Sequence, residues 1–397
     1  MTSESHRKWP RFESELVDWE STDTGYGPRR ARTAFTGPYH ASIPSVIADA
    51  SVDLPARAVA LIEEASSEIA RFDGESLGST TSFAALLLRT EAASSSQIED
   101  LTSSPKAIAL AELGRTGRAN AEAIVGNVTA MTAALELAED LSSGAILRMH
   151  EVLTRHRTDA HAGMLRQEPV WIGGSSRGPH GADYVAPRHE RVPAALADLT
   201  DFIRRDDVPV LAQAAITHAQ FENIHPFTDG NGRTGRALLH AMIRHGGLAT
   251  RSIVPLSAGL LADTDSYFAA LAAYRDGDPV SIIIEVGESV FPALANSRQM
   301  IEEIRTARAS WEEKISARRD ASAWRLADLL TTRPVVDARF AADRLGVTGA
   351  NAQLAIDRLV EDGVLSQIGN GRRNRAWQAD EILDAMERFA VRVRRRT

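Results

Sequence analysis

The chain has 397 residues, a hydrophobic fraction of 44%, a charged fraction of 25% and a net charge of −8, the figures of an ordinary globular protein with room for two or three cores. It has no cysteine, which excludes a disulfide framework and thiolate metal sites. The acidic balance argues against a protein devoted to nucleic acid, and no run approaches the roughly 18 uninterrupted apolar residues of a membrane span. The polar segment Met1 to Pro10 holds no signal-peptide core, so the expected location is cytoplasmic.

In chain order, the first 50 residues are rich in Gly, Pro, Ser and Thr and read as an irregular arm. Helical spacing begins near Leu54, with Val59, Ile62 and Ile69 on one face, and further helices are predicted over Ser82 to Asp100, Asn120 to Leu141, Ser143 to His156 and Val192 to Arg204. Between the last two, Val170-Trp171-Ile172 and Tyr184-Val185-Ala186 flank a glycine-rich stretch and predict a hairpin with a long, mobile tip. Leu211 to Asn223 and Arg236 to His245 read as helices, the latter stopped by Gly246-Gly247. Ser266 to Arg275 and Val280 to Glu313 follow, with a break expected at Pro292.

Residues from Trp324 onward read as a separate unit. Helices are predicted at Trp324 to Leu330, Phe340 to Leu345 and Ala350 to Val360, then strands at Val364 to Ile368 and Arg375 to Trp377. That order is the layout of a winged helix-turn-helix. From Ser322 to Thr397 there are 13 arginines against 10 acidic residues, so nucleic-acid contact is to be sought there. Arg372, Arg373 and Arg375 would touch phosphates, with Asn351 or Gln353 facing bases. Asp357, Glu361 and Asp362 on the same helix oppose DNA and favour a protein partner. Arg392 to Arg396 reads as a disordered basic tail.

The chemistry concentrates in His225-Pro226-Phe227-Thr228-Asp229-Gly230-Asn231-Gly232-Arg233-Thr234-Gly235-Arg236. Three glycines in six residues allow backbone amides to turn inward as an anion nest, and a following helix adds its positive end. Arg233 and Arg236 suit phosphate oxygens. Asp229 is a hard oxygen ligand for Mg²⁺, and His225 has the intrinsic pKa of a general base near neutrality. As a P-loop the segment fails, because Arg236 and Ala237 stand where Lys and Ser/Thr are required. As a calcium loop it fails too, with Arg233 in place of a ligand and His240 in place of the closing Glu.

The segment resembles the signature of the Fic family: a His, a Phe, an acidic residue, Gly-Asn-Gly-Arg and a second Arg. The resemblance implies a mainly α protein, with a helical Fic domain carrying a β-hairpin flap, an N-terminal helical segment and the C-terminal winged helix-turn-helix. The corresponding division is 1–125, 126–290, a linker helix 291–321, 322–380 and the tail 381–397. The family's usual reaction is AMP transfer from Mg-ATP to Ser, Thr or Tyr hydroxyls of proteins. Doc-like kinases alter the Gly-Asn-Gly-Arg section, which this chain keeps. Carried over, His225 would be the base and Asp229 the magnesium ligand. Gly230, Asn231, Gly232, Arg233, Thr234, Gly235 and Arg236 would line the ATP phosphates, and Phe227 would anchor the loop.

Gly173, Gly174, Ser175, His180 and Gly181 resemble the family's target-binding flap, whose edge would hold a target by strand addition. Tyr267 stands where relatives have an aromatic near the adenine, or it is a core aromatic. Ser95-Ser96-Gln97-Ile98-Glu99-Asp100 resembles the inhibitory motif of one Fic class. Helical spacing would put Ser95 and Glu99 on one face, with Glu99 on Arg236 in place of the γ-phosphate. The sixth motif position is usually Gly or Asn, and Asp100 departs from that. Removal of AMP from a modified protein, and a nucleotide-sensing DNA-binding regulator, are the alternatives. A homodimer is compatible with the sequence, which does not name the target.

Overall fold

The computed structural model describes residues 9–19, 37–75, 83–115, 117–155, 161–175, 177–319, 321–369, 371 and 373–394. Ser82, His156, Ser176, Asn370, Arg372, Arg395 and Arg396, on which parts of the sequence reading fell, lie outside them. The elements are β1 (Glu13–Val17), β2 (Tyr39–Ile43), α1 (Ala56–Glu75), α2 (Ala84–Gln97), α3 (Pro105–Glu112), α4 (Ala119–Glu136) and α5 (Ser143–Thr154). There follow β3 (Trp171–Ile172), β4 (Tyr184–Val185), a 3₁₀ turn (His189–Arg191), α6 (Val192–Ile203), α7 (Val210–Ile224) and α8 (Asn231–His245). Next come α9 (Leu256–Leu260), a 3₁₀ turn (Leu261–Asp263), α10 (Thr264–Arg275) and α11 (Pro279–Lys314). The chain ends with α12 (Ser322–Leu330), β5 (Val335–Val336), α13 (Ala338–Leu345), α14 (Gly349–Glu361), β6 (Ser366–Gln367), β7 (Trp377–Gln378) and α15 (Asp380–Arg394).

Two compact units share these elements: Met1–Glu64 with Ala130–Gly247 and Asp265–Gly287, and Ala65–Thr129 with Leu248–Thr264 and Glu288–Thr397. In the first, α7 is the central helix. Leu211, Ala212, Ala214, Ala215, Ile216, Ala219 and Phe221 are all fully buried, so the helix is apolar on nearly every side and is enclosed by α6 and α8. Trp9 edges Phe202 at 6.3 Å and lies 5.9 Å from Tyr274, closing this core from the N-terminal side. The N-terminal arm is therefore not irregular throughout. β1 and β2 pair antiparallel from Glu13↔Ile43 to Val17↔Tyr39, a short alternation hidden in a Gly- and Ser-rich stretch.

In the second unit, Ser104 caps α3 with Pro105 in its first turn, Asp337 caps α13 and Thr348 caps α14, each side chain accepting an amide of the first turn. α12, α13 and α14 pack around a three-stranded antiparallel sheet in the order β5-β7-β6. This segment is joined to α2 and α3 by buried charge. Arg89, 3% exposed, donates to Glu112 at 2.6 Å and to the Thr332 carbonyl at 2.7 Å, while Arg333 reaches the same Glu112 at 2.7 Å. Arg115 pairs with Asp337 at 2.7 Å.

Two expectations are corrected in this unit. The basic tail is helix through Arg394, with Met386, Phe389 and Val393 buried and Arg392 paired to Glu303 at 2.8 Å. Nor does Pro292 break α11. Burial of Val290, Ala293 and Leu294 outweighs the one hydrogen bond that the proline removes.

Candidate active site

α7 ends at Ile224, and His225 turns the chain with φ +50°, its N–H still donating to the Phe221 carbonyl at 3.0 Å. A left-handed conformation costs a non-glycine residue about 1–2 kcal/mol, so the surroundings must hold it. The ring is oriented by its Nδ1, 3.2 Å from the Glu222 carbonyl oxygen. A carbonyl only accepts, so Nδ1 carries the proton and Nε2 keeps its lone pair. His225 is half-buried.

The loop beyond it is pinned from inside. Phe227 is fully buried and stacks on His150, ring centroids 3.7 Å apart and planes 4° from parallel. The Gly163 amide donates to His150 Nδ1 at 3.1 Å, so His150 Nε2 is the protonated nitrogen and donates to the Asp229 carbonyl at 3.0 Å. Burial pulls the His150 imidazole down to about 4, so it is neutral near pH 7. Asn231 closes the turn with both ends of its amide: Oδ1 accepts from the Phe227 N–H at 2.9 Å and Nδ2 donates to the Phe227 carbonyl at 2.7 Å.

Helix α8 begins at Asn231, five residues earlier than the sequence pattern predicts. Gly230 is its N-cap at φ +79°, and the first intrahelical bond runs from the Thr234 N–H to the Gly230 carbonyl at 3.0 Å. The amides of Asn231, Gly232 and Arg233 therefore form the positive end of the helix, an arrangement suited to phosphate. A Cβ on Gly230 would stand 3.0 Å from Leu153. Arg233 and Arg236 are both buried, and Arg233 lies 3.5 Å from Asp229 Oδ2. Asp229, with a side chain 39% exposed, offers a hard oxygen donor beside this cradle, the chemistry that suits Mg²⁺ carried by a triphosphate.

Three residues grouped with the nucleotide contacts from sequence lie in the packing behind the loop. Thr234 is 1% exposed. Gly235 faces α7, where a Cβ would fall 2.5 Å from Glu222 Oε1 and 2.9 Å from the Phe221 ring. Tyr267 is buried, with its hydroxyl 2.8 Å from His218 Nε2. Burial, then the charge of Arg236, pulls the His218 ring down to about 3.

The flap strands are two residues each, Trp171↔Val185 and Ile172↔Tyr184, with a bridge from Ser175 to Gly178. Gly173 is required: its φ is +75° and a Cβ would overlap the Asp183 carboxylate. Gly174, at φ +68°, would meet the Gly181 carbonyl at 2.9 Å. Gly181 itself has φ +75°. His180 Nε2 lies 3.1 Å from the carbonyl of Gly37, just before β2. Ile172 is 48% exposed on the flap.

In the other unit, the motif on α2 differs from the sequence expectation. The regular helix stops at Gln97, three residues before the expected end at Asp100, and Glu99 lies in the turn that caps it, four residues after Ser95. Ser95 is fully buried, and Asn127 donates to the Ala92 carbonyl at 3.0 Å and to Ser96 Oγ at 3.2 Å. Asp100 has φ +60°. Its N–H donates to the Gln97 carbonyl and that of Leu101 to the Ser96 carbonyl, both at 3.0 Å, a Schellman cap. The sixth motif position is thus a left-handed one, which accounts for the usual Gly or Asn, and here Asp fills it.

Residues 140–243 match the Fic/DOC family and residues 59–136 match the Fic/DOC family N-terminal region. Over those two segments the chain matches the Fic/DOC family. It is 30% identical over 142 residues to protein adenylyltransferase fic-1 of Caenorhabditis briggsae, covering 35% of this chain and 25% of that one. It is 39% identical over 69 residues to a probable protein adenylyltransferase of Aquifex aeolicus, covering 17% of this chain and 22% of that one. The chain spans about a quarter of the length of the curated relatives it matches. A crystal structure of a Fic family protein from Desulfovibrio desulfuricans shares the fold, with TM-score 0.52, 21% identity, and 83% and 97% of the two chains covered.

His150, Arg166 and His218 escaped the sequence reading. Each is a single buried residue that acts through main-chain or ring contacts, and nothing in its neighbours in the chain marks it.

Proposed function

We propose that the protein transfers AMP from Mg-ATP to a Ser, Thr or Tyr hydroxyl of a protein, itself included, and that Glu99 restrains the reaction. The observation that carries this reading is the orientation of His225, its Nδ1 tied to the Glu222 carbonyl, beside the amide end of α8 and Arg233. In the reaction the acceptor oxygen bonds to the α-phosphorus as its proton passes to His225 Nε2. The bond from the α-phosphorus to the bridging oxygen breaks, and pyrophosphate leaves. The α8 amides, Arg233 and Arg236 would hold the phosphates, and Asp229 would hold Mg²⁺, which offsets charge on the leaving group. The names of the relatives support AMP as the transferred group.

The restraint rests on the Ser95–Glu99 motif and its capped turn. We read α12 to β7 as a winged helix whose partner is a protein, in a cytoplasmic setting. On α14, Gln353 donates to Asp357 at 2.7 Å and Leu354 is 67% exposed, a face suited to protein contact more than to DNA.

The test is transfer of label from α-labelled ATP with magnesium. His225→Ala should lower transfer roughly 10²- to 10⁴-fold while ATP still binds. Near-normal transfer by this variant would remove His225 from the mechanism.

A further inference from the structure

Arg166 is 2% exposed and spends its guanidinium on main chain alone. Nε donates to the carbonyl of His225 at 2.8 Å, Nη1 to that of Glu168 at 3.0 Å, and Nη2 to that of Pro187. Its own N–H donates to the Pro226 carbonyl at 3.0 Å. Glu168 lies just before β3 and Pro187 just after β4, so one side chain ties both roots of the flap to the residue read as the base. Burial pulls the guanidinium down to about 10, which leaves it charged at neutral pH and makes every donor direction costly to leave unmet.

A second strap runs alongside: the Thr228 hydroxyl donates to Glu168 Oε1 at 2.6 Å. The flap is braced elsewhere too. Trp19 edges Trp171 at 5.6 Å, and the Tyr184 hydroxyl donates to the Asn223 carbonyl. None of these other contacts reaches His225. Arg166 is the link through which the flap and the base share one frame.

We propose that Arg166 is a positioning residue that sets the flap relative to His225, and so decides whether a protein hydroxyl or water meets Nε2. The proposal rests on the functional reading above. A segment added to the flap edge takes its register from β3 and β4, whereas water takes its place from the phosphate cradle alone. Loosening the flap roots should therefore penalise protein as acceptor more than water. A planar fork with divergent donors suits three carbonyls, and a lysine ammonium would satisfy only part of the set.

The experiment compares the Glu99→Gly protein with Glu99→Gly carrying Arg166→Lys or Arg166→Gln. AMP bound to protein and AMP released to water are measured from labelled Mg-ATP, with affinity for a fluorescent ATP analogue and amide hydrogen exchange over residues 168–187. A displacement of about 1 Å at the reacting centre can cost about 10²-fold, so the protein-to-water ratio should fall at least about tenfold, with ATP affinity kept within about twofold. Lys should retain more than Gln, and flap amides should exchange faster while α8 amides do not. An unchanged ratio with unchanged exchange overturns the proposal. So does a parallel fall of both products with ATP affinity, since that is a purely structural role. If Glu99→Gly itself places no AMP on protein, the functional reading fails, while the exchange comparison still decides for or against Arg166 as the tie between the flap roots and the loop.

Discussion

The α7–loop–α8 segment and the α2–α3–C-terminal assembly solve the same problem, holding buried polar groups in place, by opposite means. In the loop the turn itself is closed by partners near in sequence, with His150 and Arg166 added from outside: Asn231 holds Phe227, His225 leans on Glu222, and Gly230 caps the helix four residues before Thr234 closes its first bond. In the other unit they are far apart: Arg333 reaches Glu112 across 221 residues and Arg89 reaches the Thr332 carbonyl across 243, and Asp73 accepts from the Thr250, Arg251 and Ser252 amides at 3.0, 2.9 and 2.7 Å. Local constraint leaves a motif in the sequence. Distant constraint leaves isolated charged residues that read as solvated.

The largest effect expected from this contrast is on stability. Glu112→Ala removes the shared partner of Arg89 and Arg333 and strands a guanidinium that is 3% exposed. Breaking a buried pair from one side costs about 3–5 kcal/mol, to be read as a lower urea midpoint. The exposed pair Arg148–Glu151 is the control, since Glu151→Ala should cost less than about 1 kcal/mol. Equal costs would show that distant charge pairs are not what holds the second unit.

A smaller effect separates the regions by pH. His150 and His218 are held neutral, with folded pKa values of about 4 and about 3 against an ordinary 6.5. Below pH 6.5 the unfolded chain takes up their protons first, so stability is full above that pH and falls as pH drops toward 4 and then 3. The urea midpoint should fall across that window, and fall less in a His150→Gln protein. A urea midpoint flat from pH 7 to 4, after correction for carboxylates, would mean the loop is not pinned by neutral imidazole.

These differences explain what was legible. The run His225 to Arg236 placed the site because base, cradle and carboxylate lie within one turn and its helix. The flap hairpin, the long helices and the three helices of residues 322–361 followed from periodicity, whereas the short elements α3, α9 and β5 left no period to read. The start of α8 was read late because Gly230 to Gly235 look like loop, although Gly235 is a helix-packing glycine against Glu222 and Phe221. The end of α2 was read late because spacing does not show that Asp100 adopts the left-handed cap that ends it. α15 was missed because its arginines suggested a tail, while its apolar face appears only with Met386, Phe389 and Val393 buried.

The central claim, AMP transfer restrained by Glu99, is tested most directly by intact-protein mass spectrometry of the Glu99→Gly protein after incubation with Mg-ATP. The account predicts a gain of one or more adenylyl groups on hydroxyl side chains, well above wild type, abolished when His225→Ala is added. No gain, a gain of phosphate in place of adenylyl, or equal modification of Glu99→Gly and wild type would contradict it.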